Sequence, residues 1–361
     1  MTKRIISCGA PYGKGGLGLH LQEVTQHALK QNENVHCFCF STRTDPDCTA
    51  VDTPLFQTLM KTPLRMFPGW RSYLSCTLFD TEVAKKLPKA DALTGFVGQS
   101  LKSFQRAKAL GYKQLEVMAA NSHVDNVRAL HAQANKLHNF DPSWLNSAQI
   151  EYTKEEYKTA DTVIVASEYS RLTFLERGFD GKNIKRLYFY NDPRFVPPVS
   201  RPDDGYFRIV YTGSITVAKG IPVLLEAFSR LSTKNARLTL VGGYATRGMR
   251  QYIEQWLAKD SRIIMAPGDP LPHLQQADVY VHPSWEDGWA YAPAEALACS
   301  TPVIVTEDTG MKEIVIEGVN GYVVPTGKWE AILERLEYIQ NHSLTGFTPP
   351  EQLQQASLQG V

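Results

Sequence analysis

The stretch Ser284–Val305, SWEDGWAYAPAEALACSTPVIV, sets Asp287 and Glu295 on either side of a turn built from glycine, aromatics and proline. A carboxylate can accept hydrogen bonds from more than one hydroxyl. Gly288, Trp289, Ala290 and Tyr291 are candidate donor-binding residues of this turn, and the backbone N–H groups of Trp289 to Ala292 open a helix in which Pro293 fits the first turn, where such N–H groups attract an anion. Hydroxyl acceptors beside phosphate donors suit a nucleotide sugar. Glu286 supplies a third carboxylate next to Asp287. Plainer readings stand beside this one. Glu295 falls at about the third helical position, where an acidic residue is ordinary, and Trp285 and Trp289 either stack on a sugar or fill core.

Two further segments could hold an anion. In VYTGSITVAKGIPVLLEAF, Gly213 and Ser214 end a strand, and Lys219 and Gly220 start an amphipathic helix. A lysine in a first helical turn opposes the macrodipole, so it either meets an anion or is simply solvated. In GAPYGKGGLG, after the first strand, Gly13, Gly15 and Gly18 satisfy G-x-G-x-x-G. The acidic residue that NAD binding needs about 20 residues on is not cleanly present. Ser41, Thr42 and Arg43, ending the second strand, would suit a 2′-phosphate and keep an NADP reading open. No Gly-Lys-Ser/Thr occurs in the loop, which excludes a Walker A motif. A glycine loop leading into a helix admits a diphosphate in general, and a tight strand–helix turn is the plain alternative.

Positioning these segments takes an α/β framework. Short apolar strands are predicted at 3–8, 34–41, 92–98, 113–121 and 162–167, with helical stretches between them. The Pro- and Asp-rich run Tyr190–Gly205 has no period and reads as a linker. The alternation then restarts, with strands at 207–214, 237–243, 262–267, 278–284 and 302–307. This pattern predicts two doubly wound parallel-sheet domains, 1–195 and 196–340, with a polar tail at 341–361. A ligand site is expected in a cleft between them, where carboxyl ends of strands gather.

The formal net charge of +1 over 361 residues gives no global basic surface for nucleic acid. The six cysteines form no CxxC and no metal-spaced cluster, and buried free thiols point to a reducing, cytoplasmic setting. The N-terminus is too short in its apolar part for a signal peptide, and no run of 18 apolar residues exists to span a bilayer. Thr53–Asp80 mixes aromatics, Leu and Met with Lys and Arg, and its three prolines are expected to break regular helix. It could lie at a lipid interface, cover an acceptor pocket or pack on the first sheet, so a peripheral membrane contact stays open.

The run ADVYVHPSWEDGWAYAPAEALACSTPVIVTEDTGMKEIVIEGVNGYVVP resembles the signature of the large retaining glycosyltransferase family 4, including a Glu-x7-Glu variant with Asp287 first and Glu295 second. GSITVAKGIPVLLEAF is similar to that family's phosphate segment. ADTVIVASEYSRLTFLERGFDGKNIKRLYFYNDPRFVP is similar to its run into the interdomain linker, and Gly15 and Gly16 to its N-terminal glycine loop. The likeness covers roughly residues 5–330 and implies the GT-B architecture of two facing Rossmann-like domains. It implies that Glu295 binds donor ribose, that Asp287 reaches the donor sugar, and that Lys219 holds the diphosphate, with the backbone of Gly16 approaching from the other domain. Thr309 and Gly310 would lie by the same diphosphate. His123, in NSHVDN, resembles the family's active-site histidine near the anomeric carbon, although a lone histidine is more often structural. The first acid here is Asp rather than the usual Glu, and Ser214 stands where the family often has Arg.

The resemblance implies transfer of a hexosyl group from a nucleotide diphosphate sugar to an acceptor hydroxyl, with retention. The acceptor would be a carbohydrate, a lipid-linked glycan or a small molecule. No cofactor beyond that co-substrate and no metal is expected. Two alternatives remain at this level: an NADP-dependent oxidoreductase using the glycine loop, and a non-catalytic nucleotide-sugar-binding scaffold.

Overall fold

The computed structural model describes residues 1–40, 48–187, 192–342, 344 and 346–350. Its contacts divide the chain into two compact units. The first takes Met1–Arg128 and the stretch from Ser143 to the linker, and the second takes Ala129–Pro142 and the chain beyond the linker. The sequence-based division into 1–195 and 196–340 therefore misses an inserted piece. Ala129–Pro142 joins the second unit because Asp141, 4% exposed, accepts the Val217 amide at 2.7 Å and the Thr246 hydroxyl at 2.5 Å. Phe140 stacks on Tyr252 beside it.

The first unit holds a parallel sheet of β1 (Lys3–Ser7), β2 (Asn34–Cys39), β3 (Cys48–Ala50), β4 (Ala92–Phe96), β5 (Gln114–Ala119), β6 (Thr162–Val165) and β7 (Ile184–Arg186). Their order is 3-2-1-4-5-6-7. Strands covered on both faces are largely apolar, and Ile5, Leu93, Val117 and Val163 are all buried, with Arg4 of β1 paired to Glu116 of β5 among them. The second unit holds β8 (Phe207–Thr212), β9 (Ala236–Val241), β10 (Ile263–Met265), β11 (Val279–His282), β12 (Val303–Thr306) and β13 (Gly321–Val324), ordered 10-9-8-11-12-13 and again parallel. In each sheet the strand order reverses beside the first strand, between β1 and β4 and between β8 and β11. At such a switch point the loops leaving neighbouring carboxyl ends diverge and open a crevice.

The longer strands and most helices stand where the hydrophobic pattern places them. The short β3, β7 and β13 have no counterpart in the sequence-based reading, although β6, β10, β11 and β12, just as short, do. The prolines of Thr53–Asp80 start helices instead of breaking them. Pro54, Pro63 and Pro68 each occupy the first position of an element: the helix Pro54–Leu59, the 3-10 turn Pro63–Met66 and the helix Pro68–Lys86. A first-position proline loses no hydrogen bond and arrives with a helical φ. The last helix, Trp329–Asn341, has no counterpart in the sequence-based reading, and it buries Ile332, Leu336 and Ile339 in the second unit's core. Among the described residues, no helix is long and apolar enough to cross a membrane.

Candidate active site

The second unit's switch point brings together the loops after β8 and β11. The β8 loop is folded around positions that tolerate only glycine. Gly220 has φ +70° and precedes the helix Ile221–Arg230, and a Cβ there would fall 1.8 Å from the carbonyl oxygen of Pro283. The two loops therefore touch backbone to backbone. Lys219, immediately before this glycine, has its amide bonded to Thr216 Oγ1 at 3.0 Å. Gly213 and Ser214 are exposed at the end of β8, and the Ser214 carbonyl accepts the Tyr211 hydroxyl at 2.8 Å.

The β11 loop is pinned as firmly. The Trp285 amide donates to Ala218 O at 2.9 Å, and Thr306 Oγ1 donates to Ser284 O at 2.6 Å. The Asp287 amide donates to Asp308 O at 3.1 Å, and its carbonyl accepts the Gly310 amide at 3.0 Å. Asp287, Thr309 and Gly310 are thus held side by side. The following helix is Tyr291–Ala298, which makes Glu295 its fifth residue rather than its third. Ala290 caps that helix at φ +68°, a left-handed conformation that costs a non-glycine residue about 1–3 kcal/mol. Its side chain offers no cap, so nothing of Ala290 itself covers the helix start.

Lys219 Nζ reaches Asp287 Oδ2 at 2.5 Å, joining the carboxyl ends of β8 and β11. The ammonium group is 29% exposed and the carboxylate 16%, so the pair is shielded but reachable. Burial pushes the Asp287 carboxyl up, yet Lys219 and His282 together hold it well below the usual carboxylate range. His282 Nε2 lies 3.2 Å from the same Oδ2. His131, in the piece contributed by Ala129–Pro142, is lowered to about 4 by burial and then by the charge of Lys219. Lys219 is consequently the cation of this neighbourhood, flanked by a neutral imidazole. Glu295 is pushed up to about 7 by burial first and then by Asp192, with Arg194 acting the other way.

Three remaining sequence candidates are buried rather than open. Trp285 packs in the core, where its ring would collide at 2.5 Å with any Cβ on Gly327, so it fills space. Trp289 is 4% exposed, and its indole N–H and the Thr309 hydroxyl are buried without hydrogen-bond partners. Glu286 is 2% exposed, and the pairing with Lys219 is made by Asp287.

The other candidates belong to the first unit. Gly15 and Gly16 lie exposed at the start of the helix Gly15–Lys30, beyond the carboxyl end of β1. Gly18 is obligatory, because a Cβ would sit 2.0 Å from Pro11 O. His123 is 4% exposed, with Tyr157, Phe174 and Phe179 around its ring at 5.0–5.6 Å. Its Nδ1 accepts the Asp125 amide at 3.2 Å, and burial lowers it to about 4, so it is a neutral ring in an aromatic box. Ser41, Thr42 and Arg43 lie outside the described residues.

His282, His131 and Asp141 were not singled out by the sequence. A histidine at the carboxyl end of a predicted strand is a usable signal for His282. His131 and Asp141 had none, because their partners lie far away in the chain.

Residues 194–355 match the model of the family described as glycosyl transferases group 1. The chain is similar to the capsular polysaccharide biosynthesis glycosyltransferase CapM of Staphylococcus aureus, 29% identical over a segment that is 37% of either chain. It spans between about a third and just over half of the length of the curated relatives it matches. Among solved structures, it is similar to sucrose-phosphate synthase from Thermosynechococcus elongatus, with a TM-score of 0.77 at 18% identity over 98% of this chain and 94% of that one. It is also similar to Anabaena HepE, solved in complex with UDP and glucose, with a TM-score of 0.68 at 15% identity over 96% and 92%. At such identities the likeness shows the fold, which is GT-B with two Rossmann-like units.

Proposed function

We propose, for a chain whose residues 194–355 match the model described as glycosyl transferases group 1, that it transfers a hexosyl group from a nucleoside diphosphate sugar to an acceptor hydroxyl with retention of configuration. The observation that carries the reading is the Lys219–Asp287 pair at the switch point of the second sheet. A cation and a carboxylate held at diverging strand ends can divide a sugar diphosphate between them. Lys219 takes the diphosphate, and Asp287 takes a sugar hydroxyl. The structural relative HepE, which binds UDP and glucose, supports a donor of this chemical class.

In the reaction, the bond from the anomeric carbon to the diphosphate oxygen breaks. Positive charge builds on the sugar and negative charge on the leaving diphosphate. Lys219 and the N–H groups of Trp289, Ala290 and Ala292 stabilise that developing anion, a contribution of about 2.7–4 kcal/mol per donor at a comparable oxyanion site. The acceptor oxygen attacks from the face the diphosphate leaves, and the departing phosphate oxygen takes its proton. Glu295 binds ribose hydroxyls. The reading assigns no resident cofactor.

The acceptor is a carbohydrate, a lipid-linked glycan or a small hydroxyl compound. Leu55, Met66, Phe67 and Trp70 are 48–72% exposed among Lys61, Arg65 and Arg71, which supports a peripheral contact with an anionic membrane. The free cysteines support a cytoplasmic site of action at its inner surface.

A thermal-shift screen over UDP-, GDP- and ADP-sugars tests the proposal. A ligand that binds only the native state at a hundred times its Kd adds about 2.7 kcal/mol of stability. One sugar nucleotide should raise Tm, and transfer to a hydroxyl acceptor should follow. Stabilisation by NADP alone would overturn the reading, as would donor binding without any transfer or hydrolysis.

A further inference from the structure

Asp287 Oδ2 has two side-chain partners, and they differ in kind. Lys219 is part-exposed on a flexible stem and able to follow an anion. His282 is 3% exposed and fixed at the carboxyl end of β11. The imidazole is itself held. Tyr280 Oη lies 3.3 Å from His282 Nδ1 and 3.3 Å from the carbonyl oxygen of Thr212, and Tyr280 is fully buried. An ionised carboxylate only accepts, so His282 Nε2 must donate to it. Burial keeps His282 below its ordinary pKa, against the pull of Asp287, and leaves the ring one proton. That proton is on Nε2, which leaves Nδ1 an acceptor that shares the single Tyr280 hydroxyl proton with the Thr212 carbonyl. Asp287 Oδ1 has no side-chain hydrogen bond among the described residues.

We propose that His282 is a positioning residue: when the donor's diphosphate draws Lys219 away, the buried imidazole keeps Asp287 ionised and oriented, with Oδ1 directed at a hydroxyl of the donor sugar. The proposal rests on the donor-site reading above. Without His282, Asp287 would lose its only other side-chain partner at the moment Lys219 turns to phosphate. A half-buried carboxylate left unpaired either takes up a proton or swings towards water.

The test compares two ligands on three proteins by calorimetry: the nucleoside diphosphate sugar selected by the screen and the same nucleoside diphosphate without sugar. His282→Phe should weaken the sugar nucleotide by about tenfold or more, the size of one charged hydrogen bond, and the plain diphosphate by less than about threefold. His282→Gln, whose amide nitrogen can stand in for Nε2, should restore most of the difference. A residue that merely supported the fold would weaken both ligands together, and that result overturns the proposal. A nitrogen-15 NMR spectrum of the wild-type imidazole gives a second decision that needs no ligand. The neutral Nε2–H tautomer should persist between about pH 6 and pH 8, and an Nδ1–H or doubly protonated ring would overturn the proposal. A wild type that binds no sugar nucleotide overturns the donor reading itself. A wild type that binds one, with His282→Phe keeping the same preference for sugar nucleotide over diphosphate, overturns this inference alone.

Discussion

Glu295 is the residue whose environment most alters its behaviour. Its carboxyl is raised to about 7, so the folded chain holds a proton there that the unfolded chain releases near 4.5. The native state then binds more protons between these values, and stability falls as pH rises from about 4.5 through 7. Glu295→Gln should flatten that part of a stability–pH curve measured by urea unfolding. If ribose hydroxyls bind the ionised form, wild-type donor affinity should rise through about pH 7, while the Gln variant stays level in calorimetry. Lys219→Met should keep the fold and weaken nucleoside diphosphate binding by about 10- to 100-fold, the loss expected for a charged hydrogen bond of about 1.5–3 kcal/mol. Unchanged binding would count against Lys219 as the phosphate cation. Lys219 and Asp287 stand out in sequence as charged residues at turns, whereas Glu295 lies inside the helix Tyr291–Ala298, where an acidic residue is ordinary and only the Glu-x7-Glu resemblance marks it. His282 and Asp141 were not legible, since their meaning depends on partners that only the folded sheet supplies.

Two short elements carry the site, and both bend where side chains ordinarily forbid it. The helix Tyr291–Ala298 begins from Ala290 at φ +68°. Ala→Gly within an ordinary helix destabilises by about 0.5–1 kcal/mol. Ala290→Gly should instead be neutral or stabilising by up to about 1 kcal/mol in urea unfolding, because it relieves a left-handed alanine. Gly220→Ala should do the reverse, since its new Cβ would meet Pro283 O at 1.8 Å. A loss beyond about 2 kcal/mol, or failure to fold, is expected, because the atom in the way is backbone and cannot turn aside. Legibility at this scale does not follow length alone: β6, β10, β11 and β12 have three or four residues and are read from their apolar runs, whereas polar residues interrupt the run in β3 and β7. The prolines of Thr53–Asp80 were visible but admit two meanings, and only their place at the first helical position decides between breaking a helix and beginning one.

Across the whole molecule, the α/β alternation and the linker could be read directly, but the return of Ala129–Pro142 to the second unit could not. The helix Val124–Leu137 runs through Arg128 without any break in its pattern, so the sequence shows no boundary there. Asp141→Ala removes the acceptor of the buried Val217 amide and should cost about 1–3 kcal/mol. Hydrogen exchange should locate that loss: faster exchange at Val217–Lys219, with the amides of β1, β4 and β5 unchanged. Equal protection in the variant and the wild type would show that Asp141 does not hold the lysine loop. The same feature bears on recombining such proteins. A chimera seamed only at the linker would import a foreign brace beneath Lys219, the proposed phosphate ligand. Donor preference should therefore transplant cleanly only when the graft carries the 129–142 piece along with the half it serves.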